Sequence, residues 1–318
     1  MGEANTYSVP AISVVLPVYN GGGYLRQSVQ SVLTQNFTDF ELLILDDCST
    51  DGSLQYLQGL RDSRISLFIN ETNKGLFYNL NFLIAKSRSG LIKLWSQDDI
   101  MYPHCLRSFV DFHAQYPGIG FSYSQRDIID EKGSVKDLSI KDTTPAIVSP
   151  DLHARIAYLT GSITGNISNV CINGKALNEV GLFNEKMKIS ADFDMWVRLA
   201  RNHDTGFINE NLIQLRDHSG QLSRKESLYI YHLREDREVY HYLDSYVPSH
   251  LKEEGKQLMR KHKLVFYYTL MVKAFLKGNI RTAYLFGKEL AGYNDFFGLT
   301  IEFFKSKFGK PVKHELRS

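Results

Sequence analysis

The first hundred residues predict an α/β protein built on a doubly wound, mainly parallel sheet. Three observations carry that prediction. Short β-branched or leucine-rich runs recur at residues 12–16, 41–45, 65–69 and 91–95, segments of helical period separate them, and the links between are only a few residues long. Strand–helix alternation with such short connections selects parallel strands joined by crossover helices.

Residues 12–16 are expected to stop at Pro17, and 18–23 to form a loop. Residues 24–33 read as a helix with Leu25, Val29, Val32 and Leu33 on one face. After the second strand, Ser49, Thr50 or Asp51 can cap a helix at 54–60. Asn73-Lys74-Gly75 opens the next helix, which runs to Ser87. The fourth strand runs into Ser96-Gln97-Asp98-Asp99, and Pro103 marks the first turn of a helix reaching Tyr116. A strand at 119–123, a hairpin at 126–138 around Glu131-Lys132-Gly133 and a polar loop at 141–149 follow. Ser149-Pro150-Asp151 starts another helix. Residues 161–170, small and polar, read equally as lining for an acceptor groove and as a linker into the strand 170–173. A helix beginning near Ser190 turns Phe193, Trp196, Val197 and Ala200 inward, and a strand at 212–215 precedes Arg216-Asp217-His218. From Ser227 the pattern is helical, divided at Pro248 and turned at Gly278-Asn279. Leu264, Tyr267, Tyr268 and Met271 mark its apolar face, and the period extends that face to Phe275.

Composition narrows the classes. Hydrophobic residues make up 43% and charged residues 23% of the 318-residue chain, an ordinary globular balance. A net charge of +2, with no basic, aromatic-interleaved stripe in the motif-bearing half, excludes nucleic acid as an expected partner. Cys48, Cys105 and Cys171 form no Cys-x-x-Cys pair, which argues against a zinc site or disulfide framework and fits a reducing cytoplasm. The first eight residues lack the basic and apolar regions of a signal peptide. The longest apolar run, 264–276, contains Lys273 and is shorter than the roughly 20 residues a bilayer requires. The tail 301–317 mixes Phe303, Phe304 and Phe308 with Lys305, Lys307, Lys310, Lys313 and Arg317. Such a segment either packs on its own domain or lies on an anionic membrane, so peripheral membrane contact stays open.

Open α/β sheets bind ligands beyond the C-terminal ends of their strands. Three such ends carry residues 17–20, Asp46-Asp47 and Asp98-Asp99. Each alone is ordinary turn chemistry. Their repetition along one edge is what points to a site. Carboxylates there accept hydrogen bonds from a base N–H or from ribose hydroxyls, and Tyr19 can stack on a base. An oxygen-rich pair such as Asp98-Asp99 suits Mg²⁺ or Mn²⁺ on a diphosphate. Gly21-Gly22-Gly23 is not a dinucleotide fingerprint, because position 26 is Arg26, and the chain has no P-loop. It reads as a flexible turn.

In order and spacing, residues 12–20, 46–53, Asn73-Lys74-Gly75-Leu76 with Asn81, and 96–103 resemble the successive motifs of family 2 glycosyltransferases. The resemblance extends over residues 12 to about 222. It implies a GT-A domain over 1–225, with a nucleotide-sugar half at 10–125 and an acceptor half at 126–225, then a helical region at 226–318. It implies an inverting, non-processive transferase, since the Gln-x-x-Arg-Trp segment of processive relatives is absent. The donor would be a UDP-, GDP- or dTDP-sugar and the acceptor a hydroxyl of a saccharide or lipid-linked saccharide, in surface polysaccharide or glycan synthesis. By position, Pro17, Tyr19, Asn20, Asp46, Asn73, Gln97 and Arg216 would meet the donor. Asp98, with Asp99 and His218, would hold Mn²⁺ or Mg²⁺. Asp192 would be the catalytic base, with Asp194 second. Ser96, Leu80 and Ala191 depart from the family's Asp, Arg and Glu. Those departures keep a binding protein with a degenerate site as an alternative. A sugar-nucleotidyltransferase is another, although its Gly-rich loop would carry Arg or Lys where 19–23 has none.

Overall fold

A computed structural model describes residues 9–136, 142–293 and 296–308. The chain alternates as predicted through β1 (Ile12–Val18), α1 (Leu25–Leu33), β2 (Phe40–Asp46), α2 (Ser53–Gln58), β3 (Ile65–Ile69), α3 (Leu76–Lys86) and β4 (Leu91–Leu94). It continues through β5 (Ile100–Met101), α4 (Cys105–Gln115), β6 (Phe121–Ile129), β7 (Val135–Lys136), β8 (Ile147–Val148) and α5 (Pro150–Thr160). Then come β9 (Val170–Asn173), α6 (Gly174–Val180), α7 (Ala191–Asn202) and β10 (Thr205–Arg216). These strands form one sheet in the order β3-β2-β1-β4-β9-β6-β10-β5. The first four are parallel, β9 enters antiparallel between β4 and β6, and β10 is parallel to β6. The sheet is therefore mixed and mainly parallel. β1 and β2 are buried at every position, as strands covered on both faces must be. Leu25, Val29 and Val32 of α1 pack into the same core as Ile12, Leu16 and Ile44.

Some expectations needed correction. β1 does not stop at Pro17 but runs through it, paired with Leu45 of β2. The Val15 carbonyl accepts from Trp95 N–H, so position 17 faces the same neighbour, and β4 has already ended at Leu94. A proline is tolerated there because no ladder bond is due. β10 is far longer than residues 212–215, because it lies along the whole of β6 through two register shifts. The polar loop at 141–149 contains β8, which pairs with the start of β10. The hairpin around Gly133 is present, with Ile128 opposite Lys136, while its last two residues lie outside the described ones.

The chain divides into two compact units, Met1–Ala154 with Ser162–Arg224, and Arg155–Gly161 with Lys225–Ser318. The second is helical: α8 (Tyr229–Asp244), α9 (Ser249–Met259), α10 (Val265–Leu276), α11 (Ile280–Ala291) and α12 (Phe296–Phe308). Pro248 divides α8 from α9, and Asn279 caps α11 by accepting from Thr282 N–H at 3.2 Å. The unit's core gathers Leu233, Leu264, Tyr267, Tyr268, Phe286, Leu290 and Leu299. Gly255 lies against Tyr158, where a Cβ would sit 2.4 Å from the ring, so no other residue fits. Phe275, expected on the core face, is instead exposed, because α12 meets α10 at Tyr268 and leaves the last turn of α10 uncovered. Among the described residues no helix is long and apolar enough to cross a membrane.

Candidate functional site

Asp46 and Asp47, consecutive at the end of β2, are aimed at different jobs, as alternation along an extended chain requires. Asp47 is structural. Its carboxylate accepts from Asn70 Nδ2 at 2.8 Å, Lys74 N at 2.7 Å and Gly75 N at 2.9 Å, which staples the loop ahead of α3. Asn73, in that loop, is exposed. Asp46 is fully buried; its Oδ2 accepts from Ser49 N at 3.0 Å, and its Oδ1 has no hydrogen-bond partner. A buried carboxylate oxygen without a donor costs about 1–3 kcal/mol. Such an atom fits the ring N–H of a base.

At the end of β1 the Tyr19 side chain is 46% exposed, while its backbone is fixed. Gln97 Oε1 accepts from Tyr19 N–H at 2.9 Å, and Gln97 Nε2 donates to Tyr19 C=O at 3.1 Å. Asn20 takes the left-handed conformation that Asn tolerates better than most residues, and its Oδ1 accepts from Thr50 N at 2.8 Å. Both polar ends of Gln97 and the amide oxygen of Asn20 are thus spent on shaping loops. Gly21-Gly22-Gly23, read from sequence as a flexible turn, is pinned: Gly21 N–H donates to Ser53 Oγ and Gly22 N–H to Asp51 Oδ2.

The end of β4 is held by α1. Trp95 Nε1 donates to Ser28 Oγ at 2.8 Å, Ser28 Oγ donates to the Ser96 carbonyl at 2.7 Å, and Ser31 Oγ accepts from Met101 N. On this braced segment Asp98 keeps a partly exposed carboxylate. Ser96 Oγ donates to one oxygen, and His218 Nε2 lies 2.9 Å from the other. Gly220 N–H lies 3.2 Å from His218 Nδ1, which orients the ring toward Asp98. The fold thus brings Asp98 and His218, 120 residues apart in the chain, into contact.

Asp99, expected on the metal beside Asp98, turns the other way. It is buried, with Oδ1 accepting from Arg216 N–H at 2.9 Å and Oδ2 from Ser168 Oγ. Burial first, and next the charge of Asp98, push its carboxyl up to about 7. Beneath it lies Lys93, fully buried and donating to the carbonyls of Leu94 and Ser168; burial pushes its ammonium down. Arg216, expected at the diphosphate, is also buried. Nε donates to Asp98 C=O at 2.9 Å, Nη1 to the carbonyls of Asp130 and Glu131, and Nη2 to Gln27 Oε1. Its guanidinium lies over the Tyr24 ring at 4.4 Å, and that ring meets the His218 ring at 5.0 Å, tilted by 54°. Arg216 is a strut that fixes Asp98 relative to His218. Arg216→Lys keeps the charge but loses the fork. It is expected to lower unfolding stability by about 2–3 kcal/mol in a urea titration, since carbonyls are left without donors. Unchanged stability with a raised donor KM would return Arg216 to the diphosphate.

Asp192 and Asp194 stand in the first turn of α7, which Trp196 anchors against Phe121 and Phe183. Asp194 is committed to Arg198, whose guanidinium also binds the carbonyls of Val180, Gly181 and Leu182. Asp192 is half-buried, with Oδ1 accepting from Phe193 N–H.

No group of three or more His, Cys, Asp or Glu side chains suited to a metal is assembled among the described residues. Asp98 and His218 nevertheless offer a carboxylate oxygen and an imidazole. That donor set fits a Mn²⁺ or Mg²⁺ ion that takes its remaining positions from a diphosphate and water. Sequence reasoning missed Ser28 and Lys93, and read Asp47 with Asp46 as facing the ligand, whereas its carboxylate is spent on the loop ahead of α3. Ser28 had a signal: it sits one turn from Leu25 on the apolar face of α1, where a hydroxyl needs a partner.

Comparison with known proteins bears on the family and the fold. The model of the family described as "Glycosyl transferase family 2" matches residues 13–169. An uncharacterized glycosyltransferase of Rickettsia felis is 31% identical over 223 residues, 69% of this chain and 36% of the relative. The chain spans only 36% and 35% of the first two curated relatives it matches. Staphylococcus aureus TarS 1–349, solved with UDP-GlcNAc, superposes with a TM-score of 0.65 at 18% identity, over 89% of this chain and 80% of that one. A Pyrobaculum calidifontis mannosyltransferase, solved with GDP-Man and Mn²⁺, gives 0.55 at 12% identity, over 96% and 89%. The sheet is thus that of the GT-A glycosyltransferases.

Proposed function

Since the chain belongs to glycosyl transferase family 2, we propose that it moves a sugar from a nucleoside-diphosphate donor to an acceptor hydroxyl, with inversion at the anomeric carbon. The observation that supports this most is the pairing of two features on one sheet edge. Asp46 keeps a buried oxygen without a donor, and Asp98 keeps a partly exposed carboxylate beside His218. In this reading Asp46 Oδ1 accepts a ring N–H of the base, Tyr19 flanks the base, and Asn73 borders the same edge. Pro17, Asn20 and Gln97 shape the loops around it. A divalent ion, held by Asp98 and His218, would neutralise charge on the diphosphate. Asp192 takes the proton from the acceptor hydroxyl as its oxygen bonds to the anomeric carbon. The bond from that carbon to the diphosphate oxygen breaks, and the nucleoside diphosphate leaves with the electron pair. The acceptor in this reading is a saccharide or lipid-linked saccharide of a surface polysaccharide or glycan.

The test is to incubate the protein and Mn²⁺ with α-linked UDP-, GDP- and dTDP-sugars and a panel of sugar acceptors, following products by proton NMR. Release of one nucleoside diphosphate together with a β-linked product is expected. An α-linked product would overturn inversion, and pyrophosphate exchange would overturn transfer itself.

A further inference from the structure

The helical unit has a surface that its own core does not explain. On α12, Leu299 and Phe303 turn inward, while Phe296 is 41% exposed with one side of its ring meeting Tyr268 at 5.5 Å. The opposite face carries Phe297, Ile301 and Phe304, at i, i+4 and i+7, and these are 81%, 41% and 53% exposed. A helix apolar on both faces is normally covered on both. A second exposed apolar group marks the turn between α10 and α11: Phe275, Leu276, Ile280 and Tyr284.

Charge says what covers them. Between residues 265 and 306 the described cations Lys273, Lys277, Arg281, Lys288 and Lys305 are all exposed. The described carboxylates of that stretch are not. Glu289 is buried against Arg234 and Arg237, and Glu302 is half-buried 3.9 Å from Lys305. A second copy would bring like charges together, whereas an anionic surface would neutralise them. Exposed aromatic and aliphatic side chains interleaved with lysine and arginine match the interface of an anionic bilayer.

We propose that α12 and the α10–α11 turn dock the protein on anionic phospholipid bilayers, with Phe297, Ile301 and Phe304 entering the acyl boundary and Lys277 and Arg281 meeting headgroup phosphates. Lys310, Lys313 and Arg317, which suggested membrane contact in the sequence, lie outside the described residues. The docking face shares Ile301 and Phe304 with that tail and adds Phe297 and the α10–α11 turn.

The experiment is co-sedimentation of the full chain with phosphatidylcholine vesicles, alone or with roughly 30% phosphatidylglycerol, at 0.1 M and 0.5 M salt. Binding is expected only with the anionic lipid, and release at high salt. The triple change Phe297→Ser, Ile301→Ser, Phe304→Ser is expected to cut partitioning at least about tenfold, and Lys277→Glu with Arg281→Glu to do the same. Nucleotide-induced thermal stabilisation serves as the folding control in each variant. Equal binding to zwitterionic vesicles would overturn the charge argument. No binding to either, with a dimer on gel filtration that the triple variant dissociates, would assign the face to a second copy instead.

Discussion

Asp192→Asn is expected to lower kcat for sugar transfer by about 10²–10⁴-fold while leaving the donor KM nearly unchanged. The side chain keeps its shape, and Phe193 N–H can still donate to the amide oxygen, so α7 should hold its place. What is lost is the ability to take the acceptor's proton, a need that arises only as the new bond forms. Asp194, two residues on, is no substitute. Its carboxylate is tied to Arg198, which in turn holds the chain at Val180–Leu182 through three carbonyls. Asp194→Asn should therefore show in thermal stability before it shows in chemistry. A turnover for Asp192→Asn within about threefold of wild type would remove Asp192 from the base position.

The second large effect belongs to Asp98. Asp98→Ala is expected to reduce kcat/KM by about 100-fold or more, comparable to removing a group that stabilises charge developing in the transition state. The change also leaves Ser96 Oγ without its acceptor and His218 Nε2 without the oxygen it meets at 2.9 Å. His218→Ala should cost less, about 10–100-fold, because the carboxylate remains. The order of the two effects matters. A larger loss at His218 than at Asp98 would place the main charge stabilisation on the imidazole.

Much of this was readable in the sequence because it depends on local pattern. Residues 65–69 and 170–173 form strands at the predicted bounds, since β-branched runs flanked by turn residues have few alternatives. The division of labour within the acidic pairs was not readable. Asp46-Asp47 and Asp98-Asp99 look equivalent in sequence. In the fold one member of each pair is consumed, Asp47 by a loop and Asp99 by Ser168 and Arg216, and the other stays available. Which member is consumed depends on partners up to 117 residues away. Arg216 escaped for the same reason: its four acceptors come from α1, the Asp98 loop and the β6–β7 turn. The length of β10 was missed because its hydrogen-bonding partner, β6, supplies the cause.

The central claim is that one sheet edge holds a nucleoside diphosphate and that Asp98 makes the binding metal-dependent. Thermal unfolding with UDP, GDP, dTDP and CMP, each with and without Mn²⁺, in wild type and Asp98→Ala, tests it most directly. One diphosphate is expected to raise the wild-type midpoint by several degrees only with Mn²⁺, as ligand linkage requires at concentrations well above Kd. That rise should vanish in Asp98→Ala. A rise that persists in Asp98→Ala, or no rise for any nucleotide in wild type, would contradict the account.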